Sequence, residues 1–228
     1  MVEIDCVFLA GGVGKRMKRD IPKQLIRVAG KPIMIYSLEN LLKFLNCKKV
    51  IITYPKGYQK VYGDVLSYYF NNIDNFILVE GGKTRQESVY NALEYVNSNR
   101  VLIHEAARPF ITKRLIDDLL NGSEDAVVPV INIPFTVASG KEYMNKIFKR
   151  DELKNVQLPQ IFNSETLKAA HEKAKRDNLF FTDDSTLVFY YGHKVKFVEG
   201  EEMNIKITTN LDLLLMEKIL FARDLPSD

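Results

Sequence analysis

The 228-residue sequence has no tryptophan and only two cysteines, Cys6 and Cys47. They form neither a CxxC pair nor a metal-binding spacing, which excludes a disulfide-stapled miniprotein. Both sit in apolar surroundings, as reduced thiols buried in a cytosolic protein do. No stretch approaches the roughly 20 apolar residues of a membrane span. Met1 leads straight into a strand-like run without a basic leader, so the expectation is a cytoplasmic protein with no membrane partner. Repeats and low-complexity tracts are also missing. Excess charge is small, with 32 Lys and Arg against 29 Asp and Glu. At 46% hydrophobic and 27% charged residues, the chain has the composition of a globular protein with a sizeable core, and wholesale disorder is excluded.

What is present alternates. Asp5–Ala10 is a short apolar run ending in glycine, the pattern of a buried strand. Helical spacing follows over Ile33–Leu45, then strands at Val50–Tyr54, Phe76–Val79, Val101–Ile103 and Ala126–Val130. Helical patterns over Gln59–Asn71, Glu87–Val96 and Thr112–Leu120 separate them, the last with Thr112 as N-cap. Such alternation predicts an α/β fold, a parallel sheet with helices on both faces. The pattern lapses between Asn132 and Phe162, where a mixed-charge stretch reads as a hairpin arm. It resumes with a helix at Glu165–Arg176, a strand at Lys194–Val198 and a closing helix at Leu211–Arg223. One domain over 1–228, with an arm at 133–158, is the expected organisation.

Charge concentrates between Lys15 and Lys31, where Arg16, Lys18, Arg19, Lys23 and Arg27 are opposed only by Asp20. No aromatic residue lies between Val13 and Pro32 to stack on bases, so nucleic acid is not the expected partner. The basic run directly follows the glycine-rich turn Ala10-Gly-Gly-Val-Gly14, which points to a small phosphorylated ligand. The turn is not a dinucleotide fingerprint, because Met17 stands at the third glycine position. Nor is it a Walker A loop, since Leu9 replaces the first glycine and Arg16 the Ser or Thr. What remains is a turn whose backbone N–H groups can face an anion, with a planar guanidinium at Arg16 and a point charge at Lys23.

Ala10–Met17 followed by Pro22-Lys-Gln24 resembles the signature of the polyol-phosphate cytidylyltransferases. The resemblance continues in order. Gly81–Ser88 is similar to the family's base-recognition loop, and His104-Glu-Ala-Ala-Arg-Pro109 to its His-Asp-Ala-Ala-Arg-Pro block. Pro159-Gln160, Thr182-Asp-Asp184, Glu199-Gly200 and Asn204–Thr208 match further blocks. The resemblance implies a Rossmann-like, mostly parallel twisted sheet of the nucleotide-diphospho-sugar transferase type, a homodimer joined through the arm, and magnesium as cofactor. It implies transfer of CMP from CTP to a polyol phosphate with release of pyrophosphate. The acceptor would be ribitol 5-phosphate, giving CDP-ribitol, or 2-C-methyl-D-erythritol 4-phosphate, a step of isoprenoid biosynthesis. Leu9–Gly12 and Asn204–Thr209 lean slightly towards the first.

By the same resemblance, Arg16 and Lys23 are the catalytic pair gripping the triphosphate. Ala10, Gly11, Gly12, Gly14 and Lys206 also bind nucleotide, and Gly82, Lys83 and Ser88 hold the base. Arg85 either joins them or stabilises their loop. Glu105 is the metal ligand, and with Arg108, Thr182 and Arg150 it serves the acceptor, Arg150 reaching across the dimer. The chain departs from the family pattern at Lys83, at Glu105 (Asp in the pattern), at Asn132-Ile133 (Asp-Thr), at Leu158 (Thr) and at Met203 (acidic). Two other readings stay open. A hexose-1-phosphate nucleotidyltransferase shares the glycine turn but not Pro22-Lys-Gln24. A CTP-binding protein without catalysis is supported by Met203 and opposed by Arg16 and Lys23 together.

Overall fold

In the computed structural model, which describes residues 4–12 and 21–223, the alternation of side chains along each central strand sorts the apolar residues into two cores. Strand β1 (Ile4–Leu9) sends Ile4, Cys6 and Phe8 to one face and Val7 to the other. Strand β4 (Cys47–Tyr54) divides likewise, Val50 and Ile52 against Ile51, and β6 (Arg100–Glu105) places Leu102 opposite Val101 and Ile103. Strands apolar on both sides need cover on both sides. Helices α1 (Ile33–Phe44), α2 (Gln59–Tyr69) and α4 (Lys113–Leu120) supply it on the first face. On the second, α3 (Arg85–Leu93), α5 (Ser164–Arg176) and α6 (Asp184–Tyr190) do so. The C-terminal helix α7 (Asn210–Arg223) closes a third cluster containing Ile33, Phe110 and Ile207.

The hairpin of β2 (Arg27–Val28) and β3 (Lys31–Pro32) precedes α1, and β5 (Phe76–Glu80) pairs with β4. The pairs β1/β4, β1/β6 and β4/β5 are parallel, as is the pairing of β7 (Ala126–Asn132) with β12 (Val195–Glu199). Thr112 caps α4 as expected, its hydroxyl accepting from Leu115 N at 3.2 Å.

The sheet is mostly parallel, with one departure from the alternating pattern. Strand β11 (Gln160–Asn163) lies antiparallel between β6 and β7, and β10 (Lys154–Val156) pairs antiparallel with β7. Both strands fall where the sequence pattern lapses, and runs of three and four residues carry no period by which to recognise them. The segment 133–158 read as an arm therefore divides. Its hairpin is β8 (Ala138–Gly140) with β9 (Met144–Ile147), while residues 154–156 belong to the main sheet. Among the described residues, no helix is long and apolar enough to cross a membrane.

Parallel β1, β4, β5 and β6 end together, with Leu9 opposite both Thr53 and Glu105, and Tyr54 opposite Glu80. The carboxyl ends of such strands are where ligands bind in open α/β sheets.

Candidate active site

The chain leaves β1 into the glycine turn, and three side chains from elsewhere hold its opening. Thr53 Oγ1 accepts from Ala10 N at 3.0 Å and from Gly11 N at 3.1 Å. Tyr62 Oη donates to the Ala10 carbonyl at 2.7 Å. Gln24 Nε2 donates to that same carbonyl and, at 2.8 Å, to the carbonyl of Gly12. Gln24 reaches them because Pro22 opens a short 3₁₀ turn at Lys23–Leu25 that folds back beneath the turn. From the same element Lys23 Nζ donates to Ile207 O at 2.9 Å. Gly14 and Arg16 lie outside the described residues.

The Gly81–Ser88 loop follows β5. Gly81 N donates to Tyr54 O at 2.8 Å, and Gly82 N to Ser88 Oγ at 3.0 Å. Thr84 caps α3, accepting from Glu87 N at 3.0 Å, while Glu87 Oε2 accepts from Lys83 N at 2.7 Å. This is a reciprocal capping arrangement shifted by one residue. Ser88 Oγ donates to Thr84 O at 2.8 Å, so the hydroxyl expected to face the base shapes the loop. The loop has no room for a side chain at its turn, where a Cβ on Gly82 would stand 2.5 Å from Glu87 Cβ. It also lies against the glycine turn: a Cβ on Gly11 would meet Gly81 Cα at 3.5 Å. The turn and the loop thus lie side by side at the mouth of the strands.

Between them stands Glu105, at the end of β6 and buried. Lys206 Nζ lies 2.6 Å from its Oε2, Arg85 Nε 3.3 Å from its Oε1, and Arg108 Nε 4.0 Å from its Oε2. Burial by itself would raise the carboxyl's pKa, but Lys206, then Arg85 and Arg108, outweigh it and bring it to about 2. Arg85 also reaches Asp184 Oδ2 with Nη1 at 2.8 Å, and Asp184 Oδ1 faces His171 Nε2 at 3.0 Å. Burial opposes ionisation of Asp184 too, and Arg85 followed by His171 prevails, again at about 2. His104, beside Glu105, is held down at about 4 by burial and is neutral at pH 7. Its Nε2 lies 3.0 Å from Ser37 Oγ and 3.1 Å from Arg108 O, a structural role.

These elements enclose a cleft of about 900 Å³. Of the residues expected from the sequence, Gly11, Gly12, Lys23, Gly82, Lys83, Ser88, Glu105 and Lys206 line it. Ala10 is buried just beneath. Arg108 is also buried, donating from Nη1 to Asn204 O at 2.7 Å. Thr182 and Arg150 are exposed and outside the lining, Arg150 Nε standing 3.5 Å from its neighbour Asp151. Sequence reasoning missed Thr53, Tyr62 and the anchoring role of Gln24. It passed over His171 and left Arg85 undecided. A helical His gives no sign of a buried carboxylate thirteen residues on, although Gln24 was visible within Pro-Lys-Gln.

Among the described residues no cluster of three His, Cys, Asp or Glu is placed to hold a metal. A magnesium site needs only one or two carboxylates when substrate phosphates complete it. Glu105, ionised and lining the cleft, fits as that carboxylate, shared with Lys206. Glu201, near the position of Met203, is turned away: its Oε1 accepts from Thr112 Oγ1 at 2.5 Å and lies 3.0 Å from Arg114 Nη2.

A family model described as 2-C-methyl-D-erythritol 4-phosphate cytidylyltransferase matches residues 4–222. The chain is 39% identical to the protein of that name from Clostridium novyi (strain NT), over 94% of this chain and 95% of that one. It is 37% identical to the one from Dictyoglomus thermophilum, over 99% and 100%. Among solved structures, a 4-diphosphocytidyl-2C-methyl-D-erythritol synthase from Anaerococcus prevotii superposes with a TM-score of 0.83 at 28% identity, covering 96% of each chain. The Francisella tularensis 2-C-methyl-D-erythritol 4-phosphate cytidylyltransferase gives 0.81 at 28% identity, covering 95% of this chain and 99% of that one.

Proposed function

The chain belongs to the 2-C-methyl-D-erythritol 4-phosphate cytidylyltransferase family, and on that premise we propose that it transfers CMP from CTP to 2-C-methyl-D-erythritol 4-phosphate. It is a nucleotidyltransferase enzyme. The observation that carries the reading is the convergence of the glycine turn, Lys23, the Gly81–Ser88 loop, Glu105 and Lys206 on one cleft. The relatives described above all carry the methylerythritol name, which favours that acceptor over ribitol 5-phosphate.

The chemistry asks little of the protein beyond alignment and charge. A phosphate monoester has its second pKa near 6, so at pH 7 the acceptor is largely a dianion and needs no general base. One of its oxygens attacks the α-phosphorus of CTP, the bond from that phosphorus to the α–β bridging oxygen breaks, and pyrophosphate leaves with the electron pair. Negative charge grows on the transferring group, and fixed cations are worth most where it grows. Lys23 and Arg16 serve that purpose, and Lys206, next to the Ile207 carbonyl that holds Lys23, adds a further cation to the cleft lining. The loop of Gly82 and Lys83, held in shape by Ser88 and Glu87, takes the base. Arg108 and Thr182 take the acceptor phosphate. Glu105 is the protein's ligand for magnesium, which when bound neutralises the phosphates.

The same reading makes the protein a homodimer. Phe135, Tyr143, Met144 and Ile147 on and beside the arm hairpin are 67–79% exposed, an apolar surface of the kind that marks an interface. Arg150, beyond that hairpin, then serves the partner's acceptor site. The deciding experiment is pyrophosphate detection with each NTP over methylerythritol 4-phosphate, ribitol 5-phosphate and other polyol phosphates. Turnover confined to CTP with methylerythritol 4-phosphate is expected. Equal release from every NTP removes the base assignment, and preference for another acceptor removes the substrate.

A further inference from the structure

Arg85 joins three elements that the sequence keeps apart, two of them lining the cleft. It is the first residue of α3, directly after the Thr84 cap, so its backbone belongs to the base loop. Its guanidinium leaves that loop and forks: Nε reaches Glu105 Oε1 at 3.3 Å on β6, and Nη1 reaches Asp184 Oδ2 at 2.8 Å at the start of α6. Asp184 is braced from behind by His171 Nε2 at 3.0 Å on Oδ1. Asp183, next in sequence, caps α6 and accepts from Gln160 Nε2 at 3.0 Å.

We propose that Arg85 is a positioning residue, acting through Glu105, that locks this carboxylate to Asp184 and so makes the base loop, the phosphate wall and the acceptor side one rigid unit. The proposal rests on the reading of the cleft as the CTP site. Two features support it beyond proximity. The fork spans two carboxylates that are both almost fully buried, and a planar guanidinium offers donors in fixed directions to both, where a lysine offers a single point charge. The balance around Glu105 also depends on it. Without Arg85 the Glu105 carboxylate is left to Lys206 and the more distant Arg108, both of them on its Oε2 side. Asp184 keeps His171.

The test is a double-mutant cycle in the full chain, using Arg85→Gln, Arg85→Lys, Glu105→Gln and the double variant Arg85→Gln/Glu105→Gln. Pyrophosphate release with CTP and methylerythritol 4-phosphate is read beside thermal unfolding. Arg85→Gln is expected to lower kcat by roughly 30-fold or more, and the double variant to be no worse than Glu105→Gln within about threefold, because groups acting as one unit are not additive. Arg85→Lys, which retains a charge in the core if Arg85→Gln folds poorly, is expected to recover less than about a tenth of wild-type kcat. Multiplying losses in the double variant, or wild-type turnover in Arg85→Lys, would overturn the coupling. So would losses that merely track the folded fraction. A wild-type chain that turns over no CTP with any acceptor defeats the functional reading, and the coupling falls with it; an active wild type with additive losses defeats the coupling alone.

Discussion

The ammonium of Lys23 donates to the carbonyl oxygen of Ile207 at 2.9 Å, across 184 positions of sequence. This bond draws the element after the glycine turn against the segment that carries Lys206, so two cations approach the cleft from opposite ends of the chain. On the proposed reading Lys23 is thereby aimed before substrate arrives, the condition under which a charge stabilises a transition state without reorganising.

Lys23→Ala should accordingly lower kcat for pyrophosphate release by about 10²–10³, the range seen when a preorganised charge partner is removed. Single-turnover kinetics with saturating CTP is the measurement. Unchanged turnover would take Lys23 out of the mechanism and leave it a tether for Ile207.

Gln24 offers a contrast, because its amide never reaches solvent. Gln24→Ala removes the donor to Ala10 O and Gly12 O, at roughly 1–3 kcal/mol for the buried acceptors left behind. Melting temperature should fall and KM for CTP should rise together, since the bond holds the turn that faces the phosphates. A fall in stability with KM untouched would mean that the turn keeps its shape without this residue.

Gly82→Ala tests the base loop. The added Cβ meets the Cβ of Glu87, an atom anchored to a helix and unable to swing aside. Glu87 must shift and release Lys83 N, which it now holds at 2.7 Å. The expected result is a KM for CTP raised about tenfold or more, with kcat at saturation changed less. Equilibrium CTP binding by calorimetry checks it, and an unaltered affinity would show that the base sits elsewhere.

Acid should unfold the site first. Glu105 and Asp184, both at about 2, lie below ordinary carboxylates because of their cations. A carboxyl depressed in the folded state contributes stability above its unfolded pKa and loses it as pH falls. Melting temperature should therefore drop steeply from about pH 5 towards pH 2. Glu105→Gln should flatten that slope, since the glutamine no longer titrates. Parallel curves for variant and wild type would contradict the ion-pair network.

Much of this was legible because it is written in local patterns. The alternation of apolar runs with helical spacing announced the α/β sheet, and both faces are covered as expected. The Thr112 cap was readable from one hydroxyl before an apolar period. The glycine turn, Pro22-Lys-Gln24 and Gly81–Ser88 were readable as motifs, and the described parts of all three line or underlie a single cleft. Strands β10 and β11 were not, because strand direction leaves no trace in a run of three or four residues. Met203, where an acidic residue was expected, is 47% exposed.

By itself the sequence determined the main alternation of strands and helices, which turn must be glycine, and that cations follow it. Those are properties of neighbouring residues: hydrophobic period, backbone freedom and charge act within a few positions of the chain. Tertiary structure alone decided that Arg85 bridges Glu105 to Asp184, that Lys23 meets Ile207, and that His171 stands behind a carboxylate. Such pairings form only when the closing of the sheet removes water from groups far apart in sequence, leaving each buried charge to find its counter-charge among whatever the fold has brought near.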